Sequence, residues 1–167
     1  MELIFIRHGQ PAWSVEGLTQ PNPFLTGIGR EQSELGAQRI FDGDHPLTEL
    51  VVSPALRSQQ TAEPIARLTG LPIETVDDLV EIKMPDWTGK LEETVRSIFR
   101  DAQHRSPEEW WDGLEGGESF RDFHDRVTNA LLGVLAGRGV RPDPDREHLW
   151  LVDDPDQRIA IVAHGGT

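Results

Sequence analysis

Cysteine is absent from the 167 residues. That excludes disulfide scaffolds, thiolate zinc sites and cysteine nucleophiles. Tyrosine is absent too, and Lys83 and Lys90 are the only lysines, a bias from which nothing about function follows. Basic charge is scarce: 16 Lys+Arg face 29 Asp+Glu, a formal net charge of −13. Nucleic acid and anionic membrane surfaces need a basic footprint, so neither is expected as a partner. Long hydrophobic runs are missing. Leu3 to Ile6 is a four-residue apolar run ahead of Arg7, too short and wrongly flanked for a signal peptide. No stretch approaches a transmembrane span. With 37% hydrophobic and 27% charged residues, the expectation is one soluble, cytoplasmic domain over residues 1–167.

What is present is a series of short apolar runs alternating with helical periodicity. Leu3–Ile6 reads as a strand buried on both faces, as in parallel sheets. Gln10 to Phe24, punctuated by proline and glycine, reads as a loop. Thr26 offers an N-cap for an amphipathic helix marked by Ile28, Leu35, Ala37 and Ile40. Leu50-Val51-Val52 is a second buried strand, stopped by Ser53-Pro54. Ala55 to Leu68 is helical again and ends at Gly70, with Pro64 expected to kink it or open a new first turn. Pro72–Val76 reads as a third strand and Asp77–Lys90 as a loop. Leu91–Ala102 is a helix, Ser106–Gly117 a surface excursion, and Ser119–Leu135 a helix with Phe123, Val127, Leu131 and Val134 on one face. The stretch 137–157 is loop-like around a short strand at His148–Val152, and Ile159–Ala163 is the last buried strand. Such alternation implies a mostly parallel sheet with helices on both faces.

In open α/β sheets, ligands collect beyond the carboxyl ends of the strands. Arg7, His8, Ser53 with nearby Arg57, Glu81 and His164 all fall there. A lone His or Arg at a strand end is usually a hydrogen-bonded structural residue. Arg and His together need an anion or an acid beside them, and each histidine precedes a glycine that lets a ligand approach the backbone. The set suits phosphoryl transfer to a histidine. His8 attacks through a neutral ring nitrogen in line with the leaving oxygen. Arg7 and Arg57 offer planar forks matched to phosphate, and His164 as imidazolium adds a donor. Glu81 protonates the leaving alkoxide and then deprotonates the attacking water. The scheme requires no metal and no cofactor.

Arg7-His8-Gly9 after an N-terminal strand resembles the signature of the histidine phosphatase (phosphoglycerate mutase-like) superfamily. Further blocks follow in that family's order: Leu25-Thr26 with Gly29; Ser53-Pro54 with Arg57 and Gln60-Thr61-Ala62; Leu79 and Glu81 with Trp87 and Gly89; Gly117-Glu118-Ser119 with Arg126; and His164-Gly165-Gly166. The resemblance spans essentially the whole chain. It implies a three-layer α/β/α sandwich with a mostly parallel central sheet and a phosphohistidine on His8. It also implies a phosphate pocket of Arg7, Arg57 and His164, with Ser14, Thr19 and Gly165 as further candidate phosphate or substrate contacts. Acid phosphatases and phytases of the superfamily use an Asp right after the second His as proton donor; here Gly165 stands in that place. Glu81 matches the donor of the mutase-like branch, and Glu118 is its competitor, at a helix entrance where a carboxylate is usually a cap.

The departures from the family pattern bear on activity. Relatives read Arg-His-Gly-Glu-Thr or -Ser and then Trp-Asn, where this chain has Gln10-Pro11-Ala12-Trp13-Ser14, so the usual Asn contact is missing and Ser14 is left as a donor to phosphate. Pro85 stands where relatives have Gly, Thr88 replaces a common Glu, and there is no paired-arginine segment of the kind bisphosphoglycerate-dependent mutases use. The expectation is a phosphatase acting on small phosphomonoesters, with a phosphoprotein as the secondary substrate class. A phosphoglycerate mutase and a catalytically silent phosphate-binding domain are the alternatives. Relatives continue past His-Gly-Gly with a helix and usually a strand, so Gly165-Gly166-Thr167 reads as a helix entrance. A natural tail is expected to follow; without it one sheet face would lie uncovered.

Other signals are weaker. Gly27-Ile28-Gly29 lacks a third glycine and a preceding strand, so it is no dinucleotide fingerprint. His45, His104, His124 and His148 show no metal-ligand spacing. Asp153, Asp154 and Asp156 read as a solvated turn, and Trp110-Trp111 either lines a pocket or packs as a lid. The negative surface disfavours polyphosphates, leaving attraction to the field around Arg7 and Arg57.

Overall fold

The computed structural model describes residues 1–167. In chain order the elements are β1 (Glu2–Arg7), β2 (Ser14–Val15), β3 (Leu18–Thr19), α1 (Gly27–Phe41), β4 (Glu49–Val52), α2 (Leu56–Thr69) and β5 (Ile73–Thr75). A single 3-10 turn (Asp77–Leu79) follows, then α3 (Glu92–Ala102), α4 (Pro107–Trp111), α5 (Phe120–Ala136), β6 (Val140–Pro142), β7 (Trp150–Val152) and β8 (Arg158–Ala163). The central sheet has the order β1-β8-β4-β5, with every pairing parallel. β2 with β3 and β6 with β7 form two small antiparallel pairs beside it.

β8 owes its central place to an unbroken apolar run. Ala160 and Val162 join Leu50 and Val52 of β4, Ala37 of α1, and Ala62 and Ile65 of α2 on one face. Ile159, Ile161 and Ala163 join Val51, Leu79 and Val134 of α5 on the other. The two clusters make the three layers of an α/β/α sandwich. Each such Ile or Val, fully buried, contributes about 1.5–3 kcal/mol.

Local chemistry sets the helix ends. The Thr26 hydroxyl accepts from the Gly29 amide at 3.0 Å and starts α1. Ser119 caps α5 by accepting from the Asp122 amide at 3.0 Å. Gly70, at φ 74°, ends α2 in the left-handed conformation that a side chain would strain. α2 runs from Leu56 to Thr69 as one helix with Pro64 inside it, so the proline does not open a new first turn.

The structure corrects three sequence expectations. β1 is not buried on both faces: it pairs with β8 alone and forms the sheet edge. Its Ile4 and Ile6 pack toward the α1–α2 side, while Leu3 and Phe5 on the opposite face are 36% and 54% exposed. On that opposite face Val134 of α5 packs with Val51 of β4 and with Ile159 and Ile161 of β8. Second, the excursion after Ser106 contains α4, opened by a capping box between Ser106 and Glu109. Third, the loop after β1 folds into the β2–β3 hairpin, which bridges to the start of α3 through Leu18 and Leu91. No helix is long and apolar enough to cross a membrane.

Candidate active site

The parallel register sets the site. Arg7 lies beside Ala163 and Val52 beside Val162, so His8, His164 and Ser53 leave three adjacent strands at one edge. His8 and His164 are both buried, with ring centroids 5.2 Å apart and planes inclined at 64°. Nδ1 of His8 lies 2.8 Å from the Gly9 carbonyl. A carbonyl only accepts, so Nδ1 carries the proton and Nε2 keeps its lone pair. Burial is the main cause holding the His8 pKa below the ordinary histidine value; the Gly9 bond opposes it, and Arg57 and Arg7 add to it. His8 is thereby a neutral base.

Gly9 is held from two sides. Its amide donates to Thr61 Oγ1 at 3.0 Å, and the Thr61 hydroxyl donates to the Arg57 carbonyl at 2.7 Å. Thr61 therefore ties the turn after β1 to the helix that carries Arg57. Gly9 also crosses Gly29 at the entrance of α1: a Cβ on Gly9 would lie 2.4 Å from the Gly29 carbonyl oxygen. Both glycines are required by that close approach.

Arg57 is 5% exposed and enters no ion pair. One terminal nitrogen lies 3.1 Å from Nδ1 of His164, its Nε is buried without a partner, and its guanidinium stacks 5.0 Å from the Trp13 ring centroid. A guanidinium only donates, so Nδ1 of His164 accepts and Nε2 carries the proton to Ser53 Oγ at 2.8 Å. Burial first, and then the positive charge of Arg57, push the His164 pKa down to about 3. In this structure His164 is thus a neutral ring that orients Arg57. Arg7 is exposed, and Gly165 lies against it: a Cβ there would sit 3.4 Å from Arg7 Nε.

Glu81 stands on irregular backbone after the 3-10 turn, within electrostatic reach of His8, Arg57 and Arg126. Its Oε1 accepts from the Ile82 amide at 3.1 Å, and a Cβ on Gly166 would approach that oxygen to 2.6 Å. The carboxyl therefore borders the strand end that carries His164. Glu118 is differently placed. Both its oxygens are engaged by Arg126, at 2.8 and 2.7 Å, and this pairing holds its pKa below the ordinary glutamate value.

Ser14 and Thr19, the further candidate phosphate contacts, have partners within the protein. The Ser14 hydroxyl donates to Glu92 at 2.6 Å, and that of Thr19 to the Lys90 carbonyl at 3.0 Å. Both residues belong to the β2–β3 hairpin, whose attachment to Lys90 and to Glu92 at the start of α3 engages both hydroxyls. Sequence reasoning missed the parts played by Ser53, Thr61 and Trp13. Thr61 had a signal: it lies four residues after Arg57, on the same helix face. No group of three or more His, Asp or Glu side chains gathers as a metal site.

Fold and site together define a parallel α/β domain with two histidines, two arginines and a carboxylate gathered around its strand ends. The family model of the histidine phosphatase superfamily (branch 1) matches residues 3–167, and the chain belongs to that superfamily. It is 31% identical over 167 residues to phosphoserine phosphatase 1 of Hydrogenobacter thermophilus, covering 98% of this chain and 71% of that protein. It is 29% identical over 144 residues to a probable phosphoglycerate mutase of Yersinia enterocolitica, covering 81% of this chain and 63% of that protein. Among solved structures, the mycobacterial glucosyl-3-phosphoglycerate phosphatase Rv2419c superposes with a TM-score of 0.70 at 25% identity, covering 98% of this chain and 74% of that one.

Proposed function

We propose that the protein hydrolyses small phosphomonoesters through a phosphohistidine on Nε2 of His8. The observation that carries this reading is Arg57, a buried guanidinium with no carboxylate partner and an unused Nε. A buried cation without a counter-ion is costly, and a phosphoryl group bound between Arg57 and Arg7 offsets that cost. Nε2 of His8 attacks phosphorus, forming the N–P bond as the ester P–O bond breaks. Glu81, entering as the carboxylic acid, gives its proton to the leaving oxygen. The carboxylate so formed takes a proton from water, whose oxygen attacks phosphorus and releases inorganic phosphate and neutral His8. A dianion beside His164 favours its protonation, so the ring can then donate to a phosphoryl oxygen. Glu118 does not compete as the acid, because both its oxygens are committed to Arg126. No step uses a metal.

Phosphatases among the relatives, named for phosphoserine and for glucosyl-3-phosphoglycerate, support small phosphate esters as the substrate class. The test is hydrolysis of para-nitrophenyl phosphate with EDTA present, by the wild type and by His8→Ala. Turnover that resists EDTA and vanishes with His8 is expected. A wild type that moves phosphate between two hydroxyls without releasing it supports the mutase reading, which the Yersinia relative favours.

A further inference from the structure

Glu81 is carried by a segment without regular structure. Leu79, fully buried, anchors its start and Trp87 its end, while residues 81–87 make no helix or strand. The ion pair of Arg126 and Glu118 holds the backbone on both flanks of Glu81. Arg126 of α5 grips Glu118 through two parallel hydrogen bonds, and the two side chains are only 13% and 11% exposed. The remaining nitrogen of Arg126 donates to the carbonyls of Asp78 at 2.7 Å and Val80 at 3.0 Å, just before Glu81. Glu118 takes the other side: its Oε2 accepts from the Lys83 amide at 3.0 Å, and its own amide donates to the Lys83 carbonyl at 2.7 Å. Each partner thus seizes the backbone on one flank of Glu81. On the same face of α5, Arg126 stacks 5.4 Å from the Phe123 ring centroid, and Phe123 packs against Gly166 beside the Glu81 carboxyl.

We infer that the Glu118–Arg126 pair is a positioning brace that fixes the Glu81 carboxyl at the leaving oxygen, and takes no part in proton transfer itself. The inference rests on the reading of Glu81 as the acid. A desolvated bidentate pair has a narrow choice of geometry, and backbone bonded to both partners inherits that precision. The brace matters where a displacement of about 1 Å costs up to about a hundredfold in rate.

The test compares kcat/KM for an ester with a poor leaving group, glycerol 2-phosphate, and one with a good leaving group, para-nitrophenyl phosphate. Only the former needs the proton. Arg126→Met and Glu118→Ala should each lower the poor-to-good ratio by about tenfold or more. In the Glu81→Gln background neither should lower it further. The two variants change the local charge in opposite senses, so a purely electrostatic role moves the ratio in opposite directions and overturns the brace. An unchanged ratio in both, while Glu81→Gln alone depresses it, also overturns the brace and spares Glu81 as the acid. If Glu81→Gln leaves the ratio unchanged, the reading of Glu81 fails and takes the brace with it. Should Arg126→Met fail to fold by circular dichroism, Glu118→Gln removes no packed atoms and must still lower the ratio; no change there overturns the inference.

Discussion

Two glycines of one helix, Gly29 and Gly36 of α1, make a matched pair of perturbations. Neither has a positive φ, and in a helix interior alanine is preferred to glycine by about 0.5–1 kcal/mol. On propensity alone both Gly→Ala changes stabilise. The surroundings separate them. A Cβ on Gly36 meets nothing within 4 Å, whereas a Cβ on Gly29 would lie 2.2 Å from the Gln10 carbonyl oxygen and 2.9 Å from its amide nitrogen. Those are backbone atoms of the turn that follows His8, and no side-chain rotation relieves the clash. Overpacking of this kind costs about 1–3 kcal/mol, so Gly29→Ala is a net loss of up to about 2 kcal/mol once the propensity gain is subtracted. Gly36→Ala should gain up to about 1 kcal/mol. Kinetically the two part further. Gly29→Ala pushes the turn that holds Nδ1 of His8, so kcat/KM for para-nitrophenyl phosphate should fall at least about tenfold, while Gly36→Ala leaves it unchanged. Urea unfolding midpoints and initial rates on the two variants decide the matter. Equal midpoints and equal rates would refute the close-approach reasoning.

Three further outcomes follow from the same geometry. Thr61→Val keeps the shape but leaves the Gly9 amide without its acceptor; a stability loss of about 1–3 kcal/mol is expected by urea unfolding, with reduced kcat, and an unchanged protein would show that Thr61 does not hold the turn. The acid side of stability turns on the buried histidines: His164 binds its proton at about 3 when folded against an ordinary 6.5, so the folded state holds fewer protons in that window. Its contribution is full above 6.5 and is lost as pH falls toward 3; His164→Asn should flatten the fall in unfolding free energy between pH 7 and 4, and parallel curves would contradict this. Ser53→Ala removes the acceptor of His164 Nε2, which frees the ring to turn from Arg57; a raised KM for phosphate esters is expected, and an unaltered KM would count against that orientation.

The strands were legible because their side chains leave little choice. Leu50-Val51-Val52 and Ile159–Ala163 are short apolar runs that only a covered parallel sheet accommodates, and Thr26, Ser119 and Gly70 announced their helix ends chemically. The exposure of Phe5 was not legible, since a local run of apolar residues says nothing about which strand becomes the edge. The β2–β3 hairpin and β6 were hidden in segments rich in proline, glycine and charge, where two or three residues pair only because tertiary structure holds them together.

At the site, the strand ends at Arg7-His8 and His164-Gly165, and Ser53 with nearby Arg57, pointed to His8, Arg57 and His164, and the register of β1, β8 and β4 sets those strand ends side by side. The state of His164 could not be read in advance, because its neutrality comes from burial and from Arg57, which is remote in sequence. The present partners of Ser14 and Thr19 were hidden for a related reason: a hydroxyl serves whichever acceptor the fold brings nearest, here Glu92 of α3 and the Lys90 carbonyl just before it.

The central claim is a covalent phosphoryl group on His8, and rapid acid-free quenching of wild-type protein with a ³²P-labelled phosphomonoester tests it most directly. Label that is retained in alkali, lost in acid and mapped by mass spectrometry to the peptide containing His8, and absent from His8→Ala, is the predicted result. Turnover that continues in His8→Ala, or wild-type turnover with label on another residue, would contradict it.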